Sequence, residues 1–137
     1  YYYMGVSLTI TPKVTGSTLL IYASNRTDWE DNDTVATTQR HGWNTLYLGN
    51  TETTIGNAVS GGTSLIAKLS GETRPTSATG ASWYGNPSIL YKHTAGTAGV
   101  AMKFDYGMKL HNNSGGQFFW GSPVGESGAQ FFIIEIG

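Results

Sequence analysis

Apolar and polar positions alternate with a period of two along most of the chain. Tyr2, Met4, Val6, Leu8 and Ile10 occupy even positions, Ser7, Thr9 and Thr11 lie between or beside them, and Pro12 ends the run. Residues 100–110 repeat the pattern. Val100, Met102, Phe104, Tyr106, Met108 and Leu110 form one series, and Ala101, Lys103, Asp105, Gly107 and Lys109 form the other. Successive side chains point to opposite sides of a strand, so this spacing belongs to strands and to no helix. It predicts strands over 2–10, 18–24, 35–39, 43–48, 53–59, 63–69, 80–84, 88–94, 100–110, 117–120 and 129–136. Gly16, Gly49-Asn50, Gly61-Gly62 and the Asn112–Gly116 run supply turns between them, and Gly107 reads as a bulge. The polar stretch 26–34 has no period and reads as a loop.

Composition narrows the class. No segment keeps helical periodicity over three turns, and Thr, Ser, Tyr and Phe outweigh the strong helix formers. A chain of 137 residues is one domain able to bury roughly two-thirds of its surface. Many short strands joined by Gly-rich turns predict a single antiparallel, jelly-roll-like β-sandwich spanning 1–137. No fixed-period repeat points to a solenoid or propeller.

Charge and cysteine content exclude several chemistries. Eight basic residues against nine acidic ones leave no basic stripe for nucleic acid. No apolar run reaches the length of a membrane-spanning helix, so membrane insertion is not expected. With no cysteine, disulfides and thiolate metal sites are absent.

The last strand breaks the alternation. In FFIIEI, Phe132, Ile134 and Ile136 are apolar, and so are Phe131 and Ile133. A strand apolar on both sides needs cover on both. One side fills the sandwich core, and with no helix available the other is expected to meet another subunit. The expected interface series is Phe131, Ile133 and Glu135, with Glu135 at the rim or paired with a base because a lone buried carboxylate is costly. LLIY (19–22) is two-faced in the same way, which adds Leu20 and Tyr22 to the expected interface.

Four stretches carry a family resemblance in chain order: LTITPKVTGSTLLIYAS (8–24), LYLGNTETTIGNA (46–58), NPSILYKHT (86–94), and HNNSGG (111–116) followed by AQFFIIEIG (129–137). Together they resemble the C-terminal head domains of bacteriophage tail-fibre and virion proteins. The resemblance implies a sandwich similar to tumour-necrosis-factor heads, packed as a homotrimer. It also implies a place at the C-terminal end of a longer fibre protein in the virion, joined to other fibre segments and acting outside the cell at the host surface. The stretch 26–34 and the aromatic segment 81–84 depart from the family pattern, as host-variable tip loops would.

Candidate chemistry follows from those departures. Trp29 with Asp28, Asp31 and Asn32 forms one expected glycan-binding group, and Trp83 with Tyr84 forms another. A flat ring covers the C–H face of a sugar while carboxylates and amides bind its hydroxyls. A host polysaccharide or a protein receptor is the expected partner. Asp28, Glu30, Asp31 and Asp33 are also oxygen ligands of the kind calcium takes, but they lack the EF-hand pattern, and no metal or cofactor is expected. His41, His93 and His111 are far apart in sequence. No nucleophile motif occurs, so catalysis is not expected. A structural cap or trimerisation domain, or a capsid decoration, is the first alternative, and a polysaccharide depolymerase fragment is the second. The Lys103–Asp105 pair reads as part of a solvated strand face.

Overall fold

The computed structural model describes residues 1–24, 27–31, 40–73, 81–85, 87–111, 116–120 and 130–137. Side chains are described for 1–24, 42–68, 87–108 and 130–137. Among the described residues ten strands follow in chain order: β1 (Tyr2–Ile10), β2 (Thr18–Ser24), β3 (Thr27–Asp31), β4 (Arg40–Leu48), β5 (Thr63–Thr73), β6 (Ala81–Gly85), β7 (Ser88–Thr94), β8 (Met102–His111), β9 (Gly116–Trp120) and β10 (Gln130–Ile136). All pairings are antiparallel, and the described residues contain no helix.

Three hydrogen-bonded sheets run β1-β8-β4-β5, β10-β2-β7 and β9-β3-β6. The last two share one logic. β3 begins three residues after β2 ends, and β7 begins three residues after β6 ends, so β9-β3-β6 repeats the strand order of β10-β2-β7. The core lies between the four-stranded sheet and β10-β2-β7. Leu46, Phe104, Tyr106 and Met108 come from the first, and Leu19, Ile21, Ala23 and Ile89 from the second, each at most 2% exposed. This is the β-sandwich that the alternation predicts. Lys68 Nζ ties one open side by donating 2.9 Å to the Ser88 carbonyl on β7.

Two local expectations change. Residues 27–31 form strand β3 rather than a loop, because they pair on both sides, with β6 and with β9. Residues 53–59 form no strand. Their amides are met by other partners: Glu52 Oε1 accepts from the Thr53 and Thr54 N–H groups at 2.9 and 2.7 Å, and Gly56 N–H donates 2.9 Å to the Tyr3 carbonyl. Gly107 borders the β1–β8 register shift, which falls between the Tyr3–Gly107 and Ser7–Asp105 pairs, and an added Cβ there would stand 3.1 Å from Thr45 Cγ2 and 3.3 Å from the Tyr2 carbonyl oxygen. Its smallness serves close approach at the edge of that irregularity. The expected strand over 35–39 lies outside the described residues.

Segment 49–62 crosses the outer side of the four-stranded sheet as a strap. Val59 N–H donates to the Tyr1 carbonyl at 2.9 Å, Tyr3 N–H donates to the Asn57 carbonyl at 2.8 Å, and Ala58 bridges Tyr2. The strap therefore occupies backbone groups along the start of edge strand β1. Its base is tight at Gly62, where φ is +74° and a Cβ would lie 2.6 Å from the Leu48 oxygen and 2.7 Å from the Asn50 nitrogen. Only glycine meets both demands there.

Candidate functional site

Register decides which side of β10 faces the core. Phe131, Ile133 and Glu135 stand opposite Ala23, Ile21 and Leu19, and directly opposed residues of an antiparallel pair share a face. Leu19, Ile21 and Ala23 are buried between the sheets, so Phe131 and Ile133 turn inward and pack on that core. This reverses the side assigned from sequence, where Phe132, Ile134 and Ile136 make the more apolar series.

Glu135 shares the inward side, at the end of the sandwich. Its carboxylate accepts from Lys13 N–H at 2.9 and 3.0 Å, from Val14 N–H at 3.1 Å and from Ser17 Oγ–H at 2.7 Å. The expected rim position or basic partner is replaced by a cradle of turn amides. Those bonds, the Lys13 amide foremost, hold its titration below the ordinary glutamate range.

The other side of β10 is exposed and apolar. Phe132 is 46%, Ile134 50% and Ile136 47% exposed, and Leu90 on neighbouring β7 is 70% exposed. Phe132 stands opposite Tyr22, which stands opposite Leu90; Ile134 stands opposite Leu20, which stands opposite Lys92. Leu20 and Tyr22, expected at a subunit interface, therefore lie on this outer face. The Tyr22 and Phe132 rings stack at 5.1 Å. Contiguous apolar patches larger than roughly a few hundred Å² are rare on monomers and mark interaction sites.

The expected glycan groups meet in the sheet β9-β3-β6. Trp29 is directly opposite Trp83 on one side and Phe118 on the other; Asp28 is directly opposite Tyr84 and Phe119. Two groups separated by more than 50 positions thus occupy adjacent register positions, and Trp29 lies in a strand where a loop was expected. Asp31 ends β3 opposite Ala81, and Asn32 lies outside the described residues. Phe118 and Phe119 were not singled out from sequence, because QFFW gives no sign that it pairs with β3. His41 and His111 are likewise register partners on β4 and β8, and Glu72 stands opposite His41 on β5.

A fourth group was misread from sequence. Asp105 is 1% exposed, beneath the base of the strap. Lys103 Nζ lies 3.2 Å from Asp105 Oδ1 and donates 3.2 Å to the Asn50 main-chain carbonyl. The approach to Asp105 is off the line a hydrogen bond requires, so neither carboxylate oxygen has a well-directed donor. Burial raises the Asp105 carboxyl above the usual range, and Lys103 and the Asn50 amide only partly offset it.

No protein-family model matches the chain, and no curated protein and no solved structure matches it either.

Proposed function

We propose that this chain is a non-enzymatic head domain of a bacteriophage fibre that assembles as a homotrimer and binds a receptor on the host surface. The observation that carries the reading is the apolar outer face of β10-β2-β7, formed by Phe132, Ile134, Ile136, Leu20, Tyr22 and Leu90. Covering each half-exposed Phe or Ile contributes roughly 1 kcal/mol. Lys92, opposite Leu20, carries the charge among the side chains of that face named here by register, and the net charge is −1, so a strongly charged partner has little to recognise. A second copy of the same neutral, aromatic-bearing face is the complementary surface. Three such faces meeting around an axis protect one another and leave β9-β3-β6 to carry the receptor-binding residues.

Within that sheet, alternation puts the Trp29–Trp83 register pair on the same face as Asp31 and the Asp28–Tyr84 pair on the opposite face, and each face combines the ring and carboxylate residue types that glycans require. A host polysaccharide is the ligand class this favours over a protein receptor. Three copies on one shaft turn weak single sites into avid attachment. The test is competition: purified domain added to host cells blocks virion adsorption, and Trp29→Ala with Trp83→Ala removes the block while the assembly stays intact. Undiminished adsorption by virions carrying both substitutions leaves a purely structural cap in its place. Release of reducing ends from host polysaccharide would favour the depolymerase reading instead.

A further inference from the structure

Beneath the strap, three side chains of complementary reactivity converge, independently of the receptor and assembly readings. Lys103 carries a primary amine, Asn50 a carboxamide and Asp105 a buried carboxylate. Asn50 is 2% and Asp105 1% exposed. The amine lies 3.2 Å from both the Asp105 carboxylate and the main-chain oxygen of Asn50. The Tyr3 ring, itself buried, stands 5.5 Å from the amine and closes the site on that side.

The carboxamide is held in a particular way. Asn50 Oδ1 accepts from the Glu52 N–H at 3.1 Å and from the Ser60 N–H at 3.0 Å. Two main-chain donors aimed at one carbonyl oxygen polarise its carbon and stabilise negative charge that develops on that oxygen during attack. The Nδ2 end, by contrast, makes a long 3.4 Å bond to the Glu52 carbonyl, and the amide also faces the Asp105 carboxylate. The donors are on the oxygen, where an acyl-transfer transition state needs them. The leaving nitrogen is weakly held.

We propose that Lys103 and Asn50 join in an intramolecular isopeptide bond, with Asp105 carrying the protons. Asp105 takes a proton from the Lys103 ammonium, and the freed lone pair attacks Asn50 Cγ. Rotation about the end of the Lys103 side chain brings Nζ from the main-chain oxygen of Asn50 to that carbon. The Nζ–Cγ bond forms and the charge moves to Oδ1, where the Glu52 and Ser60 amides meet it. Asp105 passes its proton to Nδ2, the Cγ–Nδ2 bond breaks, and ammonia departs with the remaining proton of the new amide as ammonium. Asp105 ends as the carboxylate it began as. No oxidant, cofactor or nucleotide is consumed. Burial serves the reaction twice: it makes Asp105 a stronger base than an exposed aspartate, and it keeps water from competing for Cγ.

The bond would tie the base of the strap to β8 across 53 positions of sequence. It would hold Tyr3 and the start of β1 under the strap against heat, proteases and pulling force, which suits a part that works outside the cell.

Intact-mass spectrometry of the full chain is the test. The expected mass is the sequence mass less one ammonia, and digestion yields a branched peptide containing both Lys103 and Asn50. Lys103→Arg restores the full mass, because a guanidinium does not form the bond. Asp105→Ala restores it as well, and the Lys103→Arg result stands if that variant misfolds. A folded wild-type chain that keeps its full mass after prolonged incubation overturns the proposal. So does an ammonia loss confined to Asn50 and persisting in Lys103→Arg, which is the signature of a succinimide.

Discussion

Phe132 and Tyr22 stack at 5.1 Å on the outer face of the β10–β2 pair, while their neighbours Phe131 and Ala23 face the core between the sheets. One strand thus presents aromatic and aliphatic surface in both directions, and the two directions carry different expectations under substitution.

Inward changes act on the fold. Phe131→Ala removes a half-buried ring that packs on both core clusters and is expected to cost about 2–3 kcal/mol, toward the lower end for large-to-small changes. Denaturant unfolding reads it as a lower midpoint at unchanged slope. Phe132→Ala leaves that intramolecular core untouched, so its effect grows weaker as the protein is diluted below its association range. Equal, concentration-independent losses for both would contradict the assignment of faces.

Glu135 links stability to acid. Its carboxyl titrates below the ordinary glutamate value of 4.5 because the Lys13 amide, Ser17 hydroxyl and Val14 amide hold the charged form. The folded state then binds the proton less readily than the unfolded chain. The stabilisation is fully present above pH 4.5 and is lost as pH falls from there through the lower folded-state value. Glu135→Gln is expected to lower the melting temperature at pH 7 and to narrow the gap to wild type at pH 3, as thermal scans at the two values will measure.

His93 adds a second acid-sensitive contribution at higher pH. Burial lowers its titration from the ordinary 6.5, and the ring lies edge-on to Phe104 at 5.6 Å. The neutral ring suits the folded state, so this contribution is complete above pH 6.5 and declines as pH drops below it. His93→Gln is expected to remove that part of the pH slope between 6.5 and 5, read by denaturant midpoints.

Gly62→Ala is expected to cost about 1–3 kcal/mol, since a Cβ meets main-chain atoms at 2.6–2.7 Å and the backbone is left-handed. Gly16→Ala is the control. Gly16 has a similar φ of +75° but nothing within 4 Å of an added Cβ, so it loses less. Thermal melts of the two variants separate the steric cost from the conformational one.

How much of this was legible in the sequence depends on how far each cause lies along the chain. The strands β1, β2, β7 and β8 follow from alternation that is local and strong. β3 was hidden because TDWED is acidic, and what makes it a strand is its pairing with β6 and β9, more than 50 positions away. Residues 53–59 alternate like a strand, yet Glu52 and the start of β1 take their amides. Glu135 makes its series of β10 the more polar one and so points to the wrong side, and only register against Leu19, Ile21 and Ala23 shows that this series turns inward. Lys103 and Asp105 looked solvated because the residues that cover them begin at Asn50, in what reads as a simple turn. The opposition of Trp29 to Trp83 is equally a product of topology.

Self-association through the outer face of β10-β2-β7 is the claim on which the account rests, and the mass of the domain in solution tests it most directly. Light scattering at micromolar concentration is expected to give about three times 14.7 kDa, falling to 14.7 kDa when Phe132 and Ile134 are both replaced by aspartate. A wild-type mass of 14.7 kDa under the same conditions would contradict it.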